Sequence, residues 1–472
     1  MRFSTLAMGL AVSSVLWAQH ASGQQIRQPS SFRPVAYEYD YYSQGDAAAS
    51  PSDQPVAPAA SGTANGEAAT ATAAGGCDAA ACGCANGGGC TATCNGSCNG
   101  GCSSCGCGGL LGLGDHLACC ELGDPWTLSG SVHCDPVVKI GGWVQLGYHN
   151  RANGLFNDHP DDLNLHQAWV YLEKEADGSD CCWDWGFRLD GLYGVDAQDT
   201  QAFGNPVDAA GDPQGWDNDW DHGIYGFALP QAYVTLARGD LSVQAGHFYT
   251  RHGYEVVPAT GNFFYSHAIT FYNSEPFTHT GFMADYQLRE DLKVFGGWVL
   301  GWDTGYDQFE DGSAFMGGVS ADLADDVGLV YAAMFGDFGF RGDDGFLQSL
   351  VLTLDLTERV QYVLHSDWLS VDPVGGGQEQ NYSIVQYLFY NYSDCLALGT
   401  RLEWWKGDAI NPYEPFGSTA PATGNQSYYE VTGGFNYKPH ANLVLRPEVR
   451  LDWSPALNYD ETTLGIDMIL TF

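Results

Sequence analysis

The sequence predicts an all-β protein: a transmembrane up-and-down antiparallel β-barrel of about 16 strands, preceded by a disordered and Cys-rich N-terminal region. Three observations predict it. Apolar and polar side chains alternate in many segments, the connections between these segments alternate between short and long, and the composition suits strands. Aromatic residues make up 13% of the chain and Gly numbers 61, whereas only 16% of residues are charged. This composition favours pleated strands and turns over long solvated helices.

The N-terminus has the features of an export signal, which is predicted over residues 1–23. Arg2 supplies a positive charge, residues 6–17 form a short apolar stretch, and Ala21-Ser22-Gly23 provides small residues before a cleavage site at Gln24. The apolar stretch is too short for a membrane-spanning helix. Export would place the mature chain in an oxidising compartment, where cysteines form disulfides.

Two segments separate this signal from the barrel. Residues 24–76 are predicted to be a disordered linker, because Ala, Ser, Pro, Gln, Thr and Gly dominate and little is apolar. Residues 77–134 contain 12 of the 15 cysteines. Three interpretations stay open for this Cys/Gly-rich segment: a disulfide framework, a thiolate metal site, or a spacer whose thiols pair variably. The metal interpretation lacks CxxC pairs at zinc-ribbon separation.

Residues 135–472 are predicted to form the barrel, because their segments alternate with a period of two. Such a period places successive side chains on opposite faces of one strand. An apolar face opposite a charged face fits lipid outside and water inside. A segment near the C-terminus carries Leu443, Leu445, Val449, Leu451 and Trp453 on one parity, and Val444, Arg446, Glu448, Arg450 and Asp452 on the other.

A soluble β-sandwich also alternates, but its strands are shorter. Sandwich strands usually run about five or six residues, whereas a tilted membrane strand needs about nine to eleven, as these segments do. Aromatic residues near segment ends are typical of the girdles at membrane interfaces. The predicted girdle residues are Trp302, Trp368, Trp404, Trp453 and Phe472.

The connections between segments alternate in length along the chain. Short ones, such as Gly239-Asp240 and Glu358-Arg359, are each followed by a long one, here 250–277 and 372–380. Outer-membrane barrels have short periplasmic turns and longer external loops. An even number of strands then places both ends of the barrel on the periplasmic side.

The inward parity of the predicted strands is polar, and barrels of about 16 strands leave an aqueous channel. These side chains are therefore predicted to line a pore. Aromatic Trp143, Trp169 and Trp405 share this parity, where a stacking track for sugars and ordinary rim packing are both open interpretations. The predicted pore-lining residues are Lys139, Arg188, Asp190, Asp355, Asp367, Arg401, Glu403, Arg446, Glu448, Arg450, Asp452 and Asp467.

The third long connection, residues 250–277, is predicted to fold into the lumen and narrow it. It is rich in Phe and Tyr, which an external loop in water would not need together. Its charged residues would then oppose the arginines of the wall and set a transverse field. The predicted constriction residues are Arg251, Glu255, Phe263, Phe264 and Glu275.

The same stretch carries a resemblance to a known family. It reads G-H-F-Y-T-R-H-G-Y-E over Gly246–Glu255, then Asn262-Phe263-Phe264-Tyr265-Ser266, then Pro276-Phe277-Thr278-His279-Thr280-Gly281. Together with the export signal and the aromatic C-terminus, this resembles the β-barrel porin-2 (OmpL-like) family of outer-membrane proteins over residues 137–472. The resemblance implies an outer-membrane porin, and it leaves the Cys-rich segment unexplained.

The expected function is therefore a water-filled channel for passive diffusion of small hydrophilic solutes or ions across the outer membrane of a diderm bacterium. The alternative is a barrel anchor that presents the Cys-rich segment for envelope crosslinking. With 57 acidic and 18 basic residues the chain is not expected to bind nucleic acid. Its expected partners are membrane lipid and solutes, and a homo-oligomer is left open. We expect no enzyme, cofactor or metal, since no nucleophile has a base and an orienting group at a suitable spacing.

The cysteines outside the N-terminal segment all fall in or beside short connections. Cys181 and Cys182 lie at the edge of the connection 175–181, and Cys395 lies in 393–395. The predicted topology puts these positions on the periplasmic side, together with residues 77–134. Cys181, Cys182 and Cys395 are therefore disulfide candidates, with partners among the N-terminal cysteines or in a neighbouring chain.

Overall fold

The computed structural model describes residues 122–129 and 137–472, apart from 154–155, 180–181, 208–212, 218–219, 309–310, 374–376 and 408–424. The predicted signal at 1–23, the linker at 24–76 and most of the Cys/Gly-rich segment at 77–134 lie outside the described residues. No helix within the described ranges is long and apolar enough to cross a membrane.

Sixteen strands of the described chain form one closed antiparallel barrel, which confirms the predicted fold class and strand number. Each strand pairs with its neighbour in the barrel, and the last strand, Tyr459–Thr471, closes the sheet by pairing with the first, Lys139–His149. Closure leaves no unpaired strand edge to face lipid. The barrel strands are β1 (Lys139–His149), β2 (Asn164–Lys174), β3 (Asp184–Gly194), β6 (Gly226–Arg238), β7 (Leu241–Tyr249), β8 (Thr278–Arg289), β9 (Leu292–Val299), β10 (Ser313–Ala324), β11 (Val327–Asp337), β12 (Asp343–Thr357), β13 (Val360–Asp372), β14 (Glu379–Ser393), β15 (Leu396–Gly407), β16 (Gln426–His440), β17 (Leu443–Ser454) and β18 (Tyr459–Thr471).

The remaining elements lie in the long connections. Between β3 and β6, the chain forms a short helix, α1 (Asp196–Thr200), and a separate hairpin of β4 (Phe203–Val207) and β5 (Pro213–Gly215). A second short helix, α2 (Ile269–Ser274), lies in the connection between β7 and β8, after a 3-10 turn at Ala259–Gly261. Another 3-10 turn, Gly339–Arg341, joins β11 to β12.

The two faces of the strands differ as the alternation predicts. In β17, Val449 and Leu451 are exposed on the outer face, while Arg450 and Asp452 are buried on the inner face. In β18, Leu464 is likewise exposed and Asp467 is buried. The outer face therefore offers lipid an apolar surface, and the inner face turns charge toward the lumen.

The prediction that Trp302 belongs to the interfacial girdle is wrong. Trp302 is 5% exposed and packs beside Phe338, with ring centroids 5.9 Å apart, in an apolar cluster on the inner side of β7 to β13. The backbone here is tied to neighbouring connections, since the Trp302 N–H donates to the Phe338 carbonyl oxygen at 3.0 Å. Trp302 therefore faces other side chains and not lipid. On the outer face, rings pair across neighbouring strands instead, as Trp368 does with Tyr382 at 6.2 Å.

Short connections collect at one end of the barrel and long ones at the other. The short set includes 239–240, 325–326 and 441–442. Trp126 lies at this short-connection end, where its backbone N–H donates to Asn442 Oδ1 at 2.8 Å. The Asn442 side chain also donates to the Thr471 carbonyl oxygen at 3.1 Å. The chain therefore enters β1 and leaves β18 at the same end, which is the periplasmic end if short turns face the periplasm.

Candidate functional site

The connection 250–277, called the inner loop below, lies inside the barrel. Nearly all of its residues are buried, although it belongs to no strand of the sheet. Its two ends meet where the Thr250 N–H donates to the Phe277 carbonyl oxygen at 3.0 Å. Asp303 of the next long connection also binds this end of the inner loop. Its Oδ1 accepts hydrogen bonds from the N–H groups of Phe277 (2.6 Å) and Thr278 (2.9 Å). The inner loop is thus tied down beside β7 and β8 and reaches across the lumen.

Arg401 of β15 is the most heavily bonded contact between the wall and the inner loop. Its guanidinium donates to Glu255 Oε1 at 2.7 Å, to the Ser266 carbonyl oxygen at 2.8 Å and to Glu430 Oε2 at 2.9 Å. The planar fork of Arg can serve several acceptors at once, which a Lys cannot do in the same geometry. Arg401 therefore joins a loop carboxylate, a loop carbonyl and a wall carboxylate in one buried network.

Two wall carboxylates hold the backbone of the inner loop. Glu403 accepts the N–H groups of Ile269 and Thr270, both at 2.7 Å, at the start of α2. Glu448 accepts those of Tyr265 (2.9 Å) and Ser266 (3.1 Å). The first N–H groups of a helix have no partner within the helix and favour a negative charge nearby. The Glu403 carboxylate supplies that charge. These bonds replace the water that the inner loop loses on burial.

Two further arginines hold loop carbonyls while each pairs with a wall carboxylate. Arg446 donates to the Asn262 carbonyl oxygen at 2.6 Å and to Asp467 Oδ1 at 2.9 Å. Arg450 donates to the His267 carbonyl oxygen and, at 2.8 Å, to Asp452. A buried arginine needs such a partner because an unpaired buried charge is costly. Arg446 and Arg450 are therefore each neutralised by one wall carboxylate.

On the opposite side, the inner loop contacts β1 and β2 through residues that the sequence did not single out. The Tyr265 hydroxyl lies 2.7 Å from His166 Nε2 and 3.1 Å from His149 Nδ1. Gln167 donates to the Val257 carbonyl oxygen at 2.8 Å and accepts the Ala259 N–H at 3.0 Å. His149, His166 and Gln167 are all buried. Simple alternation does not place the neighbours His166 and Gln167 on one face, and no motif marked these residues as loop contacts.

Aromatic side chains fill the space between the inner loop and β14. Phe263 packs on Phe264 and Phe389, with ring centroids 4.9 and 4.8 Å away. Gly399 makes room for the Phe263 ring, since a Cβ there would lie 2.4 Å from a ring carbon. Arg401 lies over the Phe264 ring at 5.3 Å. Offset ring packing and a cation above a ring both add to burial of apolar area.

The remaining predicted constriction residues face different partners from those expected. Arg251 pairs with Asp285 of β8 at 3.2 Å, and Glu275 lies 3.3 Å from His365 of β13. Of the three charged constriction residues, only Glu255 pairs with a wall arginine, Arg401. The inner loop therefore opposes the wall arginines mainly with backbone carbonyls.

The predicted pore-lining residues divide into two groups by position. Nine are buried on the inner face, seven of them in β15, β17 and β18 and the others being Asp190 and Asp367. The other three lie toward the short-connection end and retain exposure: Lys139 pairs with Glu175, Arg188 lies between Glu173 and Asp190, and Asp355 accepts from Gln361. The lumen is therefore charged and accessible toward that end, and filled by the inner loop above it.

The three inward tryptophans form no open track. Trp143 and Trp169 stack with ring centroids 4.6 Å apart and are both buried. Trp405 donates from its indole N–H to Ser274 Oγ of the inner loop at 2.9 Å. The sequence left open a stacking track for sugars and ordinary rim packing. In the structure the three rings are buried, and Trp405 contacts the inner loop.

The candidate cysteines differ from one another. Cys395, in the short connection 394–395, is disulfide-bonded. Cys182 is a free, exposed cysteine, which departs from the expectation that it pairs. Cys181 lies outside the described residues.

A closed 16-stranded barrel with an apolar outer face, a charged inner face and a loop folded into its lumen is an outer-membrane channel of the porin type. The family model "Putative beta-barrel porin-2, OmpL-like" matches residues 137–472, and the chain belongs to this family. The family and the fold are those of a channel and not of an enzyme. None of the curated proteins matches the chain significantly.

The chain is similar, at low identity, to several solved porins. An anion-selective porin from Comamonas acidovorans is 11% identical, with a TM-score of 0.47 over 71% of this chain and 99% of that one. The outer membrane channel DcaP of Acinetobacter baumannii is 13% identical, with a TM-score of 0.45 over 71% and 97%. A loop L8 deletion mutant of OmpT from Vibrio cholerae is 10% identical, with a TM-score of 0.46 over 71% and 99%.

Proposed function

We propose that the protein is a restricted diffusion channel for small hydrophilic solutes or ions, with the inner loop as its constriction. The observation that carries this proposal is the network by which Arg401, Glu403 and Glu448 hold the inner loop inside the barrel. A loop fixed at mid-lumen limits the size of a solute, and the charges around it act on the solute at short range. The charged, partly exposed side chains toward the short-connection end form an aqueous entrance.

The same contacts support a preference for cations. The arginines that reach the inner loop each face at least one carboxylate: Arg401 meets Glu255 and Glu430, while Arg446 meets Asp467. Arg450 meets Asp452 in the same way. Glu403 and Glu448, by contrast, accept backbone N–H groups, which carry no full charge to neutralise these carboxylates. The constriction thus keeps a net negative charge, which attracts cations and repels anions.

Conductance in a planar lipid bilayer tests the proposal. The full-length protein should form channels, and deleting 258–270 should raise the single-channel conductance because the deletion removes the part held by Arg401, Arg446 and Glu448. A matched control deletes 410–422, an equal length of the connection between β15 and β16. A salt gradient should give a reversal potential of the sign expected for cation preference.

The outcomes separate the two functions expected from the sequence. A folded barrel with no conductance, with or without residues 258–270, would favour a membrane anchor over a channel. Equal conductance of the full-length protein and the 258–270 deletion would contradict the role of the inner loop as the constriction. Folding of each variant is checked by the shift in gel mobility that heating causes in an intact barrel.

A further inference from the structure

A cluster of three ligand-bearing side chains lies where the end of the inner loop meets the wall. Glu275 belongs to the inner loop, whereas His365 and Asp367 project from the inner face of β13. All three are at least nine-tenths buried, with relative exposures of 3%, 1% and 3%. Glu275 and His365 are about 90 residues apart in the sequence, so no local motif predicts the cluster.

The spacing of their ligand atoms fits a small coordination sphere. His365 Nε2 lies 2.8 Å from Asp367 Oδ1 and 3.3 Å from Glu275 Oε1. One ligand atom from each of the three residues lies within 4.8 Å of the others. Neighbouring ligands of an ion with bonds of about 2.0–2.1 Å lie roughly 3.0–3.4 Å apart. The two shortest separations are therefore close to the edges of such a polyhedron.

Glu275 has no hydrogen-bond partner for either carboxylate oxygen among the described residues. His365 Nδ1 and Asp367 Oδ2 likewise have no hydrogen-bond partner among the described residues. A buried carboxylate without a partner is strongly unfavourable, so a positive charge or a proton is needed there. The nearby arginines are engaged elsewhere: Arg401 bonds Glu255 and Glu430, and Arg341 bonds Glu379.

The backbone of the inner loop makes room for the Glu275 carboxylate. Gly253 has a φ of +87°, and a Cβ at this position would lie 1.9 Å from Glu275 Oε2. A positive φ and a missing side chain are both properties that Gly supplies without strain. The Gly253 N–H donates to Ser349 Oγ at 3.0 Å, which fixes this turn against β12. The carboxylate is thus aimed at His365 and Asp367 by a dedicated turn.

We propose that Glu275, His365 and Asp367 bind one divalent transition-metal ion, which joins the inner loop to β13. One imidazole with two carboxylates is a donor set for ions such as Zn²⁺, Mn²⁺ or Co²⁺, while Ca²⁺ prefers oxygen ligands alone. The ion supplies the positive charge that the cluster lacks and crosslinks a loop to a strand. This metal site is a proposal separate from the channel function, because metal binding is measured independently of conductance.

The test uses Co²⁺ as the probe and the full-length protein in detergent. Thiols are first alkylated with iodoacetamide, because the N-terminal cysteines are themselves potential metal ligands. We expect the alkylated protein to retain one Co²⁺ per chain after gel filtration, with a visible absorption spectrum of nitrogen and oxygen ligands. His365→Asn and Glu275→Gln should each weaken binding at least tenfold. The control is His159→Asn, which alters a more exposed histidine beside Asp158 and should bind like the parent protein.

Two results would overturn the proposal. One is an alkylated parent protein that binds no Co²⁺, since Glu275 and Asp367 would then share a proton and not a metal. The other is a His365→Asn variant that binds Co²⁺ as tightly as the parent protein. Both variants must show the heat-dependent gel mobility of a folded barrel. Asn and Gln keep the approximate size and polarity of the replaced side chains, so that a failure to fold is separable from a loss of binding.

Discussion

At the scale of single residues, the interior of this barrel is organised by charges that hold backbone. Arg401, Glu403 and Glu448 all use their side chains on main-chain groups of the inner loop. A loop buried in a lumen has lost water as a partner for its N–H and C=O groups. Charged wall residues replace that water with charge-assisted bonds, which are about twice as strong as neutral ones.

Arg401→Ala should destabilise the folded barrel by about 3–5 kcal/mol, because Glu255 and Glu430 would be left as buried unpaired charges. Urea unfolding in detergent, followed by tryptophan fluorescence, measures the change. The control is Arg289→Ala. Arg289 pairs with Asp291 on the surface at 2.9 Å, and such an exposed pair contributes at most about 1 kcal/mol. Equal effects of the two substitutions would contradict the assigned role of Arg401.

Asp303 should make the stability of the protein depend on pH. Burial raises the pKa of Asp303 from 3.8 to about 7, against the opposing effect of the N–H groups of Thr278 and Phe277. The folded protein then holds this proton more tightly than the unfolded chain, so stability is lost as the pH rises between these two values. Asp303→Asn keeps an oxygen for the two N–H groups and removes the titration.

The free energy of unfolding of Asp303→Asn relative to the parent protein should therefore rise from about pH 4 to about pH 7 and level off above it. Urea unfolding at several pH values checks this. A difference between the two proteins that stays constant over this range would contradict the prediction.

At the scale of elements, each strand has one row of side chains that faces lipid and another that faces the lumen. β14 carries apolar side chains on both parities between Tyr382 and Tyr390, which simple alternation of apolar and polar residues does not explain. Leu388 and Tyr390 are exposed on the outer face, and Tyr387 and Phe389 are buried on the inner face. The inner side of β14 packs on the aromatic residues of the inner loop, with Tyr387 4.7 Å from Tyr254. A strand that faces lipid on one side and a packed loop on the other is apolar on both.

Val234→Arg should destabilise the barrel by about 2–4 kcal/mol, falling toward the interfaces, because Val234 is on the outer face of β6 and 53% exposed to the lipid side. The neighbouring Thr235 is on the inner face and only half-buried. Thr235→Arg should therefore cost much less, because an arginine there reaches the wet lumen. Unfolding in lipid vesicles compares the two, and a larger cost for Thr235→Arg would mean that the assigned faces are reversed.

At the scale of the whole molecule, the barrel closes with its own strands. β1 pairs with β18 from Trp143–Thr471 to His149–Gly465, so the sheet needs no residue before Lys139. The described residues before β1 make local contacts, between Trp126 and Asn442 and between Ser129 and Ile140. Whatever residues 24–121 contribute, the architecture of the channel does not depend on their pairing with a strand.

A chain in which residues 24–121 are deleted should still form a heat-modifiable barrel with the single-channel conductance of the full-length protein. The physical reason is that the sheet and the inner loop are complete within 139–471. The comparison is made with both proteins under reducing conditions, so that the disulfide of Cys395 does not differ between them. Loss of the barrel upon this deletion would show that the N-terminal segment takes part in folding.

The sequence by itself determined the strands, their faces, their number and the order of short and long connections. These follow from a local period of two and from turn residues, so reading them requires no knowledge of which residues meet. It also marked residues 250–277 as a loop too aromatic for water. Only the tertiary structure decided which partners meet: Glu403 with the start of α2, Tyr265 with His166, Glu275 with His365 and Asp367. Such pairs depend on the path of a loop across a closed lumen, and residues that lie about 90 positions apart leave no periodic signal of their contact.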